Sequence, residues 1–345
     1  MPRVRPRHVV IAAAVLVALV STLVVVDLRH PTTEGSASSR ILGPTASGLP
    51  WHSGAWVGGR FSSAGIDAFG SWRGRPADLV TTYVEPSSYA AMVSNVWSIE
   101  TWKGFQGRLS YGLRLLPEDG AGSLTSIGNG DQDQVWAGVA GNLVRLGRGD
   151  AVVRVGWEAN LPDWRHHATA ATAAEYKRAF QRVHDVMHAV GPDLKFEFGV
   201  GCGAGLEGSH DRLAPLTELY PGDAYVDLVG CDTYDWYHTH ADSDATWRNV
   251  LSPAGGPGIQ DVVDFAREHY KGATFSEWGL SARRDGNNGG GDNRYYIESM
   301  YDFFATNADV VAAESYFDEP SSYLASSLFP IDQNPRAAAV YAERW

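Results

Sequence analysis

Eight short apolar runs, at residues 55–58, 79–84, 109–115, 151–157, 195–200, 226–234, 273–277 and 310–317, recur along most of this 345-residue chain. Such runs read as strands buried on both faces, which is the signature of a parallel sheet. Parallel strands need crossovers, and helical spacing fills the intervals. Residues 173–190 repeat apolar side chains at Ala179, Phe180, Val183, Val186, Met187 and Val190, then stop at Gly191-Pro192. Residues 261–270 and 295–305 read as further helices. Eight strands with intervening helices, and no dinucleotide-binding turn after the first, predict an α/β fold: a single-domain (β/α)8 TIM barrel over residues 51–345.

The chain ahead of the barrel reads differently. Arg3, Arg5 and Arg7 precede an apolar run from Val9 to Val26, interrupted only by Ser21 and Thr22. As a helix this run is ~27 Å long, close to bilayer thickness. The preceding arginines keep the N-terminus cytoplasmic. Residues 1–29 are therefore expected to be an uncleaved signal anchor, with a cleaved signal peptide as the alternative. The Ser-, Thr-, Gly- and Pro-rich residues 30–50 predict a flexible linker. Either way the barrel is expected to work as a monomer, on the extracellular face of the cell membrane or secreted, touching membrane only through its N-terminal segment.

A net charge of −12 argues against nucleic acid as a partner. Twelve Trp and fifteen Tyr suit carbohydrate, because indole and phenol rings stack on sugar C–H faces while their N–H and O–H reach hydroxyls. The same rings would equally fill a core. Cys202 and Cys231 are compatible with a disulfide or with two buried thiols.

In a (β/α)8 barrel the chemistry sits at the C-terminal ends of the strands. The fourth run ends Arg154-Val-Gly-Trp157-Glu158-Ala-Asn160, and strand alternation would put Arg154 and Glu158 on one face. A pure ion pair between them is the alternative. The seventh ends Ser276-Glu277-Trp278-Gly279, with Trp278 as an apolar wall or a sugar platform. The sixth ends Asp232-Thr-Tyr234-Asp-Trp236, placing Asp232, Tyr234 and Trp236 toward a cleft, with Asp232 equally readable as a loop cap. Glycosidic cleavage needs one carboxylic acid to protonate the leaving oxygen and one carboxylate to attack the anomeric carbon, ~5–5.5 Å apart in a retaining enzyme. Glu158 and Glu277, on nearly opposite strands, are the candidate pair.

With these segments in view, residues 51–345 resemble glycoside hydrolase family 26 of clan A, which includes β-mannanases and some β-glucanases. The pieces are 54–58, Leu115-Leu116-Pro117, 127–131, 154–160, 226–234, 276–279 and 292–297. The resemblance implies a retaining endo-β-glycanase acting on mannan- or glucan-type polysaccharide, with Glu158 as acid/base and Glu277 as nucleophile. It also implies that Tyr234 positions the nucleophile and that Asn160 lies beside substrate. Three positions depart from the family pattern: Trp157 stands where His is usual, the following aromatic falls one residue late at Trp164, and Tyr316 stands where Trp is common. Arg154, Trp157, Asn160, Trp164, Asp232, Tyr234, Trp236, Trp278 and Tyr316 form the expected substrate-binding set.

No metal or cofactor is expected. Gly203-Ala-Gly205-Leu-Glu-Gly208 matches a dinucleotide-loop spacing but sits mid-chain and reads as a rim loop. Residues 285–293 read as a Gly-rich loop rather than a calcium site, and His166-His167 as a loop edge rather than a metal site. Two other readings remain for the chain: a surface-anchored carbohydrate-binding pseudoenzyme, motivated by Trp157, and a hydrolase or transglycosylase of cell-envelope glycan, motivated by the anchor.

Overall fold

A computed structural model describes residues 35–345 apart from 237–239, 285–286 and 331–332. The N-terminal segment expected to meet the membrane lies outside these residues. Among the described residues no helix is long and apolar enough to cross a membrane.

Eight parallel strands close into a barrel: His52–Val57 (β1), Leu79–Tyr83 (β2), Arg108–Leu113 (β3), Val152–Val155 (β4), Lys195–Gly201 (β5), Leu228–Tyr234 (β6), Gly272–Gly279 (β7) and Val311–Asp318 (β8). Each pairs with its neighbour in sequence, and β1 closes the ring against β8. Every apolar run of the sequence is one of these strands. Nearly all their residues are buried, because helices cover the outside while side chains fill the interior.

The outer helices follow from local signals. Ser62 caps Ser63–Trp72 (α2) by accepting from the Gly65 N–H, and Asn293 caps Arg294–Thr306 (α6) by accepting from Tyr296. Ala173–Val190 (α4) turns Tyr176, Ala179, Phe180, Val183 and Met187 inward. Asp133–Arg145 (α3), Ile259–Glu268 (α5) and Pro335–Arg344 (α7) complete the main outer layer.

The linker expectation needs correction. The folded body begins near Gly35, not Trp51. Ala37–Leu42 forms a short helix (α1) whose Ala37 and Leu42 are buried against Leu79, Val152, Leu228, Ala312 and Ala313 at the N-terminal end of the barrel. Burying one Leu side chain is worth about 1.5–3 kcal/mol, which outweighs the polar composition around it. Buried Asp78 then fixes the following loop by accepting from the N–H groups of Ser47 and Ser53, both at 3.0 Å.

The barrel interior is unusually polar toward its C-terminal half. Thr81, Arg154, Glu197, Thr274, Ser276 and Ser315 are all buried. Thr81 bonds Ser315 at 2.7 Å and the Ser276 carbonyl at 3.2 Å. Buried polar groups persist where they partner one another, and this layer lies directly beneath the mouth.

Candidate active site

Glu277 sits near the end of β7 at a β-bulge: the pairing with both neighbouring strands shifts register just before Trp278, so Ser276 and Glu277 both turn their side chains inward. Three donors hold its carboxylate. Arg154 Nη1 donates to Oε1 at 2.8 Å, Tyr83 Oη to the same oxygen at 2.7 Å, and Tyr234 Oη to Oε2 at 3.1 Å. Burial and the charge of Glu277 raise both phenols well above their ordinary range, so they remain donors.

Arg154 is fully buried and spends its guanidinium on three acids. Nε donates to Glu197 at 3.1 Å, Nη2 donates to both oxygens of Asp232 at 2.6–2.7 Å, and Nη1 reaches Glu277. Burial opposes its charge, but Asp232, Glu277 and Glu197 together hold it protonated far above the usual range. Removing it would leave three carboxylates without their cation, at a cost of roughly 3–5 kcal/mol. The alternative of a pure Arg154–Glu158 ion pair does not form; Arg154 pairs with Glu197, Asp232 and Glu277 instead.

Glu158 arrives by another route. β4 ends at Val155, and the chain then turns through Gly156 (φ 51°) to Glu158 (φ 56°). Alternation along a strand is therefore not what brings Glu158 to the cleft. A Cβ on Gly156 would lie 2.6 Å from Leu115 Cδ1, and the left-handed φ favours glycine in any case. Left-handed backbone at Glu158 costs about 1–2 kcal/mol, and the turn is held by Glu158 N–H to the Gly199 carbonyl at 2.9 Å. Its side chain accepts one neutral donor, Trp164 Nε1, at 2.9 Å. Burial, then the negative charge of Glu277, push this carboxyl up to about 8. At neutral pH Glu158 carries a proton and Glu277 faces a cation.

Both carboxylates line one cavity of about 530 Å³ at the barrel mouth, together with Trp157, Trp164, Asp232, Tyr234 and Trp236 from the expected set. Trp157 packs against Trp164, with ring centroids 5.0 Å apart. The His166 ring, buried and pushed down to about 4, bonds the Trp157 carbonyl at 2.9 Å. It is a neutral prop of the turn. Among the described residues no cluster of His, Cys, Asp and Glu is arranged to hold a metal ion. The segment 203–208 lies in the loop after β5, as expected.

Four expected substrate contacts are corrected, the first being Arg154, which does not line the cavity and whose guanidinium is held by three acids. Asn160 is buried and spends its amide on backbone: Nδ2 donates to Gly201 O at 2.9 Å and Ala204 O at 3.0 Å, while Oδ1 accepts from Gly201 N–H at 2.8 Å. It staples the turn to β5 and has no free group for a sugar. Trp278 points out of the barrel into the core, donating to Glu314 at 2.6 Å and packing on Tyr316, Phe304 and Trp345. Tyr316 is likewise fully buried, with its hydroxyl on the Ser326 carbonyl at 2.6 Å. Because side chains alternate, Glu277 facing the cleft obliges Trp278 to face away. The same rule makes Phe317, not Tyr316, the cleft-lining residue of β8.

The sequence reading missed Tyr83, Arg114, Asp163, Phe317 and Tyr323, all of which line the cavity. Tyr83 had a usable signal, a polar aromatic at the end of a predicted strand. Tyr323 lies beyond a strand end and had none. Rings continue sideways: Tyr83 meets Trp56 at 5.3 Å, Trp56 meets Phe61 at 4.8 Å, and Phe61 stacks on Trp97 at 4.9 Å with 21° between planes. Trp97, 58% exposed, edges an annex of about 200 Å³ that shares Tyr83, Val84 and Pro86 with the main cavity. Cys202, just past the end of β5, and Cys231, in the middle of β6, form a disulfide.

No family model matches the chain. Among curated proteins it is 26% identical over 325 residues to endoglucanase H of Acetivibrio thermocellus, covering 90% of this chain and 32% of that protein. It is 30% identical over 135 residues to a mannan endo-1,4-beta-mannosidase of Bifidobacterium adolescentis, covering 38% of this chain and 13% of that one. The chain thus spans a third or less of these relatives. Among solved structures it is similar to the catalytic domain of a family 26 endo-beta-1,4-mannanase from Bacillus sp. JAMB-750, with TM-score 0.63, 14% identity, and 90% and 88% of the two chains covered. A family 26 β-mannanase from Bacteroides ovatus superposes with TM-score 0.52 at 14% identity, covering 77% and 78%. The resemblance to glycoside hydrolase family 26 drawn from the sequence is met by these relatives and by the shared barrel.

Proposed function

We propose that this chain is a retaining endo-β-glycanase that cleaves mannan- or glucan-type polysaccharide by double displacement. The observation that carries the reading is the opposed condition of two carboxylates in one aromatic cleft. Glu158 is held neutral by burial and by Glu277, while Glu277 is held by a guanidinium and two phenols. A neutral acid can protonate the glycosidic oxygen, and an oriented carboxylate can attack the anomeric carbon from the opposite face. Once the leaving sugar departs, Glu158 is the carboxylate that activates water. Tyr83 and Tyr234 keep the lone pairs of Glu277 directed, and Trp157 and Trp164 keep the acid dry.

The names of the curated relatives support β-glucan and β-mannan as the first substrates to try. The annex beyond Tyr83, bordered by Trp97, supports binding along a chain and hence internal cleavage. The arginine-flanked apolar segment at residues 9–26 supports work outside the cell membrane, by a monomer that is anchored or released.

The test is a panel of purified β-mannans, β-glucans, xylans and envelope polysaccharides, followed by NMR of the anomer first released. Retention of configuration with internal cleavage is expected. Inversion, or binding without hydrolysis after long incubation, would sink the reading.

A further inference from the structure

Glu197 belongs to no step of the reaction just described, yet it is almost fully buried in the barrel interior. It sits on β5 directly beside Arg154 of β4 in the sheet register. Its two oxygens are used on different elements: Oε1 accepts from Arg154 Nε at 3.1 Å, and Oε2 accepts from Ser276 Oγ at 2.6 Å. Ser276 immediately precedes Glu277. The neighbouring strands leave room for this carboxylate: a Cβ on Gly199 or on Gly230 would lie 3.2 Å from Oε1, and one on Gly230 would also lie 2.4 Å from Thr274 Oγ1.

We propose that Glu197 is a positioning residue for the glycosidic reaction, orienting Glu277 from two sides through Arg154 and through Ser276. The geometry supplies the reason. A guanidinium tied only to Asp232 is free to pivot about that pair, and Nη1 would then swing relative to Glu277. A third contact at Nε fixes the plane, because the donors of a guanidinium are rigidly arranged. The Ser276 contact restrains the backbone from which Glu277 projects. The charged groups around Glu197 are Arg154 on β4 and, across that guanidinium, Asp232 on β6 and Glu277 on β7. Touching no substrate, Glu197 acts only through its neighbours.

The inference rests on the proposed hydrolase reading, and the experiment separates the two. Wild type, Glu197→Gln and Ser276→Ala are compared on two aryl β-glycosides of the best-cleaved oligosaccharide, one with a dinitrophenyl and one with a phenyl leaving group. Glu158→Gln is the control. Glu197→Gln preserves shape and should fold, as thermal melting will report. It should lower kcat between about tenfold and a hundredfold with KM within about twofold, because small misplacement of a reacting group is costly. Compared as kcat/KM, which reports the first displacement, that loss should be the same for both leaving groups, since it concerns attack, whereas the loss of kcat/KM in Glu158→Gln should nearly vanish for dinitrophenyl, which departs without a proton. Ser276→Ala should fall in the same direction by less. A folded Glu197→Gln with unchanged kcat, or one that loses only KM or only thermal stability, overturns the assignment and leaves the hydrolase reading standing. A wild type that cleaves neither glycoside overturns both.

Discussion

The ends of β4 and β7 deliver the same side chain to the same cavity by opposite means. Glu277 stands within its strand, at a bulge, and accepts three hydrogen bonds, one from a cation. Glu158 stands past the end of its strand, on a left-handed turn, with a single indole N–H for company. Each donor to a carboxylate favours its charged form, and burial without donors favours the neutral one. The backbone path thus sets the chemistry. A bulged strand above the polar layer brings Glu277 into reach of Arg154. The turn lifts Glu158 away from it and against Trp157 and Trp164. In the proposed reaction the division of labour between these two identical residues is decided by neighbours, and residue type alone would have no basis for telling acid from nucleophile.

That contrast can be broken most severely at the strand. Glu277→Ala should lower kcat on polysaccharide by on the order of 10^4-fold or more, as removal of a covalent nucleophile does elsewhere, and near-normal turnover would remove it from the mechanism. Glu158→Gln should lose about 10²–10⁴-fold on substrates with poor leaving groups, the usual worth of general acid catalysis, read from initial rates. A subtler probe alters only the donor on the turn. Since Glu158 titrates near 8 and must be protonated to act, activity should decline as pH rises through that value. The Trp164 N–H favours the ionised form, so Trp164→Phe should raise the pKa further and move the alkaline limb of kcat/KM to higher pH. A limb that stays put or moves down would contradict the hydrogen bond. Smallest is the effect far from both carboxylates. Trp97→Ala should raise KM for a hexasaccharide roughly two- to tenfold, the value of one aromatic contact, while leaving a disaccharide glycoside unaffected. Equal effects on both substrates would place the sugar chain elsewhere.

Strand positions were legible because burial on both faces forces unbroken apolar runs, and each run of the sequence became a strand. The helix at 173–190 was legible to the residue, having a clean apolar stripe and a Gly-Pro stop. α1 was not: six residues flanked by Ser, Gly and Pro carry too little periodicity, and only contact with the barrel bottom makes them helical. At the site, Glu158 does line the cavity, but not by the route expected, since alternation fails once Gly156 takes a left-handed turn. Trp278 and Tyr316 show the converse. Applied strictly from Glu277, alternation would have excluded Trp278, and applied to β8 it would have named Phe317. Asn160 was beyond reach, because whether an amide meets sugar or backbone depends on the end of β5, 41 residues away in sequence. The partners of Arg154 were half visible: Asp232 was singled out, but Glu197 resembled any charged residue inside an apolar run.

The covalent tie between Cys202 and Cys231 lies one residue from Asp232, so the guanidinium's tightest anchor is mounted on a cross-linked part of the wall. A sequence separation of 29 residues gives a cross-link worth roughly 3.6 kcal/mol in the chain-entropy picture. Material produced under reducing conditions would carry the same sequence with two thiols at that place. Preparations differing only in redox history should then differ in thermal tolerance and in how firmly Asp232 is seated, so the thiol content of a sample belongs beside every rate measured on it.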